Sequence, residues 1–87
     1  MTDIATEAPR AHARITYLGP VSPHWDIQFD FGDRTVTEEF RARALARLVL
    51  LPLNDPQFRR NRERIQRDAE RERITIEWHM GNGIVER

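Results

Sequence analysis

Eighty-seven residues at 10.3 kDa allow one small domain, and a chain that is 39% hydrophobic and 32% charged can build only a thin core. The absence of cysteine excludes disulfides, thiolate nucleophiles and Cys-ligated metals, and the fourteen cationic side chains are all arginine, which excludes lysine chemistry. Fourteen acids balance those arginines, so no net field draws the chain onto nucleic acid.

Residues 1–12 combine alanines, acids and Pro9 with Ile4 as the one branched apolar side chain, and read as a disordered tail ahead of a single domain over residues 13–87. This start has neither the bases nor the apolar run of an export signal, and no stretch is apolar for long enough to span a bilayer, so the expectation is a cytoplasmic protein without a membrane partner. Ile15 and Tyr17 alternate with Arg14 and Thr16 as a short half-buried strand. Gly19 to Pro23 is a loop, and Ser22 within it, the single serine, has no glycines around it to form a nucleophile elbow.

Trp25, Ile27, Phe29 and Phe31 then alternate with Asp26, Gln28 and Asp30, which predicts a strand with one wet face. Gly32-Asp33 fits a hairpin turn, and Arg34 to Thr37 is expected to return as a third strand around Val36. Thr37 followed by Glu38 and Glu39 has the character of a helix start. Phe40, Ala44, Leu45, Leu48 and Val49 form the apolar face of that helix, and Pro52 ends it. Asp55 as N-cap and Pro56 as first helical residue open a second helix, which runs to about Glu72. Ile74, Ile76 and Trp78 give a final strand, Gly81-Asn82-Gly83 a turn, and Ile84-Val85 a frayed return.

The expected fold class is therefore two-layer α+β: an antiparallel sheet of about four strands in the order β-β-β-α-α-β, with both helices on one face.

Three surfaces are candidates for function. On the second helix, Phe58, Ile65 and Ala69 make a narrow apolar stripe, and Arg60, Arg64, Arg67 and Arg71 line the opposite side over roughly 16 Å. Guanidinium groups in a row suit bidentate binding of carboxylates or phosphates. Glu63, Asp68 and Glu70 beside the row also fit a purely solvated, salt-bridged face. The outer sheet face offers His24, Asp26, Glu77 and His79, which could converge on a divalent cation or do acid–base work if their strands were neighbours. Trp25 and Trp78 share the phase of their apolar neighbours and belong to the core rather than to a base-stacking platform. In the run from Leu48 to Leu53, the side chains of Leu50, Leu51 and Leu53 exceed what one helix face needs and could form an apolar patch.

These features favour a small non-enzymatic binding or accessory protein that uses the arginine-lined helix against a protein partner, with no cofactor, no metal and no catalytic residue. A nucleic-acid-binding module using the same row is the alternative. A small enzyme or metal-binding protein built on the outer sheet face comes third.

Overall fold

Alternating burial along three strands sets the architecture of the computed structural model, which describes residues 8–19, 24–80 and 85–86. The elements in chain order are β1 (Ala11–Tyr17), β2 (Trp25–Gly32), α1 (Arg34–Leu48), α2 (Pro56–Arg71), β3 (Ile74–His79) and the two-residue β4 (Val85–Glu86). Most of the expected tail, the Pro20 to Pro23 part of the first loop and the Gly81 to Gly83 turn lie outside the described residues.

The class is α+β with both helices over one sheet face, but the sheet is mixed rather than antiparallel. Its order is β2-β1-β3-β4, with β1 antiparallel to β2, parallel to β3, and β4 antiparallel to β3. The chain leaves β2, passes through both helices and returns beyond β1, and β3 therefore joins the far side of the first strand. Three rows cross the inner face: Ile27–Ile15–Trp78, Phe29–Ala13–Ile76 and Gly32–Ala11–Ile74. β1 begins at Ala11, and the last two residues of the stretch read as tail are thus the start of the central strand.

α1 packs on β2 and α2 on β3. Phe40 meets Phe29 edge-on at 6.3 Å, and Phe58 stacks on Trp25 at 5.1 Å while meeting Trp78 edge-on at 6.2 Å. Trp78, Phe40, Ile15, Leu48 and Ile65 are almost wholly buried, each worth about 1.5–3 kcal/mol over an exposed side chain. Both tryptophans face inward, as their phase predicts.

Two local features differ from what the sequence predicts, the start of α1 and the end of β2. Residues Arg34 to Thr37 are the first turn of α1, not a strand, and the cap is Asp33 rather than Thr37. The Asp33 carboxylate accepts from the backbone N–H of Thr35 at 2.9 Å and of Val36 at 3.4 Å, which satisfies two of the donors every helix start leaves unpaired. Helix propensity costs Thr35, Val36 and Thr37 only up to about 0.7 kcal/mol each, and the helix lets Val36 and Thr37 reach the core. Gly32, at φ +148°, makes this turn, because a Cβ there would lie 2.6 Å from the Thr37 methyl and 2.7 Å from the Ala11 Cβ.

The second difference concerns Phe31. A bulge leaves Asp30 as an extra residue of β2 between the pairs Ala13↔Phe29 and His12↔Phe31. The strict period of two breaks there, and Phe31, 51% exposed, stacks on His12 on the outer face instead of entering the core. β2 is also the outermost strand on its side of the sheet. Arg41 of α1 reaches over that edge, its Nε donating to the Ile27 carbonyl at 3.2 Å with its guanidinium 5.3 Å above Phe29.

Both helices end in a left-handed residue that is not glycine, Leu50 at φ 55° and Arg73 at φ 59°. Each costs about 1 kcal/mol or more relative to glycine at the same place.

Candidate functional site

α2 forms as its ends dictate. The Asp55 side chain accepts from the Gln57 N–H at 2.8 Å, Pro56 occupies the first turn, and Phe58, Ile65 and Ala69 face the sheet. The turn of the helix then puts Arg60, Arg64, Arg67 and Arg71 in solvent, all four exposed.

The structure divides that row. Arg64, Arg67 and Arg71 line one open groove of about 590 Å³ with Glu70 and, from α1, Arg47. Arg60 belongs elsewhere. Its guanidinium donates to the Gln57 side-chain carbonyl at 2.7 and 3.3 Å, and it borders a separate hollow at the start of α2 with Leu53 and Asp55.

Contacts between the helices fix the groove. Asn61 of α2 donates to the Arg47 carbonyl at 2.7 Å, which holds the last turn of α1 against α2. One turn earlier, Arg43 Nε donates to Asp68 Oδ2 at 2.8 Å, and its terminal nitrogen bonds Glu72. This clamp decides the electrostatics of the row. Asp68, which by spacing alone would neutralise Arg64, is turned towards Arg43 and makes a longer 3.3 Å contact with Arg71. Burial alone would push the Asp68 carboxyl up, but the hydrogen bond and charge of Arg43, followed by those of Arg71, hold it below the ordinary carboxylate value. The Arg43 guanidinium is in turn raised, first by its hydrogen bond to Asp68.

Glu63 lies 3.9 Å from Arg67, an exposed pair of small worth. Among the described residues, the side chains of Arg47 and Arg64 have no charged partner. Sequence reasoning missed Arg47 and Arg43, although their i, i+4 spacing on α1 marks a second basic face.

The outer sheet face does not bring His24, Asp26, Glu77 and His79 together. β1 separates β2 from β3, and Asp26 and His79 flank Thr16 from opposite sides, roughly 9.6 Å apart at two strand spacings. His79 bonds Glu77 at 2.6 Å along its own strand, while His24 precedes β2 and is exposed. The charged network on this face is a different one: Asp30 pairs with Arg14 at 2.9 Å and His12 at 3.6 Å, and His12 Nδ1 lies 2.7 Å from the Thr75 hydroxyl. Among the described residues no three His, Asp or Glu side chains are grouped as a metal site.

Of the expected apolar patch, Leu51 and Leu53 are half-buried and pack on the core. Leu50 is 71% exposed, and the exposed neighbour beside it is Val49, at 69%. No helix of the described residues is long and apolar enough to cross a membrane. Comparison with protein-family models, with characterised proteins and with solved structures finds no match.

Proposed function

We propose that this chain is a small non-enzymatic binding protein that docks an acidic surface of a protein partner in the groove between α1 and α2. The observation that carries this reading is the disposition of charge. Arg47, Arg64, Arg67 and Arg71 converge on one groove, while the half-buried Asp68 is engaged by Arg43 behind it.

Guanidinium groups bind carboxylates bidentately and keep their charge at every physiological pH. Glu70 on the groove and Glu63 beside it favour a protein surface with discrete charges over a phosphate backbone. A duplex presents one charge per roughly 1.7 Å and would meet both glutamates. Mixed signs along a docking face set register, by attraction at some positions and repulsion at others.

The test is capture of partners from the native cell by the wild-type protein and by R64E/R67E, with nuclease treatment and a salt series. The expected result is nuclease-resistant capture that weakens with salt and falls at least about tenfold in the double reversal, equivalent to about 1.4 kcal/mol. Circular dichroism of the variant should match the wild type, because neither side chain faces the core. Capture unchanged by the reversal, or capture of nuclease-sensitive RNA or DNA, would refute this reading. The second outcome would install the nucleic-acid alternative.

A further inference from the structure

Val49 and Leu50 form an apolar tip at the end of α1, just beyond Arg47 of the groove. Three observations describe how this tip is held. First, Leu50 occupies the left-handed position after the helix cap, where glycine or asparagine is the favoured residue. Second, its side chain does not compensate by packing. Leu48 is buried completely and Leu51 and Leu53 pack on the core, whereas Leu50 and Val49 are 71% and 69% exposed. The cap itself is made by backbone groups, Val49 N–H to the Leu45 carbonyl at 2.9 Å and Leu51 N–H to the Leu48 carbonyl at 3.0 Å.

Third, both flanks of the tip are tied down. Asn61 holds the Arg47 carbonyl at 2.7 Å, and the Trp25 indole N–H donates to the Leu51 carbonyl at 2.9 Å. An apolar pair fixed in place has less freedom to lose on binding than one on an untethered loop. A partner that covers these two side chains gains the free energy of removing them from water, about 1.5–3 kcal/mol for a side chain buried fully.

We infer that the partner presents an acidic segment that also bears an apolar side chain, with its carboxylates on Arg47, Arg64, Arg67 and Arg71 and its apolar residue on Val49 and Leu50. This rests on the proposed function and adds the chemistry of the partner. Arg64 and Arg71 are separated by seven residues of helix, about 10.5 Å. An extended segment covers that distance in three or four residues, and a helical one in two turns. Acids at such intervals with a leucine-like residue at one end therefore match the surface.

The inference is tested by fluorescence anisotropy with three probes. These are a labelled 14-residue Glu/Ala peptide ending in two leucines, the same peptide with serines in their place, and a single-stranded oligonucleotide of equal charge. The proteins are the wild type, Leu50→Asn and R64E/R67E. The wild type should bind the leucine peptide about tenfold more tightly than the serine peptide. Leu50→Asn should remove most of that preference, leave the serine peptide unaffected, and unfold at a temperature no lower than the wild type, since asparagine tolerates the left-handed conformation. R64E/R67E should weaken both peptides.

Retention of the preference by Leu50→Asn, or a clear loss of thermal stability in that variant, overturns the inference and leaves the groove reading standing. Equal binding of the two peptides by the wild type does the same. If R64E/R67E weakens neither peptide, if the wild type binds neither, or if the oligonucleotide binds more tightly than both, the proposed function fails and the inference falls with it.

Discussion

Replacing Arg43 with methionine removes the guanidinium that clamps α1 to α2 and keeps an unbranched stem near Phe40, whose ring centre lies 6.0 Å from the native guanidinium. The wild-type side chain bonds both Asp68, at 2.8 Å, and Glu72. A hydrogen bond to a charged group is worth about 1.5–3 kcal/mol when buried, and an exposed ion pair about 0.2–1. Arg43 is 37% exposed and Asp68 14%, so solvent screening brings the sum for both contacts to about 1.5 kcal/mol. For a domain of this size that is a Tm lower by roughly 6–12 °C. A double-mutant cycle with Asp68→Asn should return a coupling of about 0.5–1 kcal/mol. The pH dependence has a definite sign. Asp68 is held below its unfolded value, about 3.9, so its contribution is present above that pH and is lost as pH falls through the folded value. The gap in Tm between wild type and Arg43→Met should be constant from pH 5 to 8 and close below about pH 4. Thermal melts followed by circular dichroism measure both quantities. A Tm difference under about 2 °C at pH 7, or a gap that persists in acid, would show that Arg43 is solvated and that something else holds the groove.

Two further outcomes follow from the capping and edge geometry. Asp33→Ala should cost about 1 kcal/mol in urea unfolding, and more than Thr37→Val, whose hydroxyl merely donates to the Arg34 carbonyl at 3.1 Å within the helix; the reverse order would return the cap to Thr37. Arg41→Ala should increase concentration-dependent self-association in sedimentation velocity, because it uncovers the Ile27 carbonyl on the free edge of β2; sedimentation identical to wild type at all concentrations would show that the edge needs no cover.

Legibility in the sequence followed the range of the interaction concerned. The start of α2 was readable because Asp55 and Pro56 act on their own neighbours, and the strand at Ile74–His79 was readable because alternation is local. Thr35-Val36-Thr37 misled because β-branched residues favour strands, while the decisive group, the Asp33 carboxylate, looked like part of a turn. Phe31 misled because a bulge is set by the partner strand and leaves no trace in the bulged strand's own alternation. The parallel pairing of β1 with β3 depends on a crossover through two helices, and periodicity does not encode it. At the site, helix phase located Arg64, Arg67 and Arg71. The contribution of Arg47 and the diversion of Asp68 to Arg43 required the packing of one helix on the other.

The central position of β1 has a consequence for the order of events during synthesis. This strand is made before the rest of the described fold and β2 follows it directly in the chain, yet its second neighbour, β3, is completed about 60 residues later. At translation rates of roughly 5–20 residues per second, that is an interval of about 3–12 s. Throughout it, one whole side of β1 offers unpaired N–H and C=O groups, beside the apolar row of Ala11, Ala13 and Ile15 that still lacks the companion residues of β3. Closure of the sheet is thus a late step that joins distant parts of the chain, the kind of contact that slows folding. A nascent chain stalled before Ile74 would hold its future central strand as an open edge, ready to pair with another molecule.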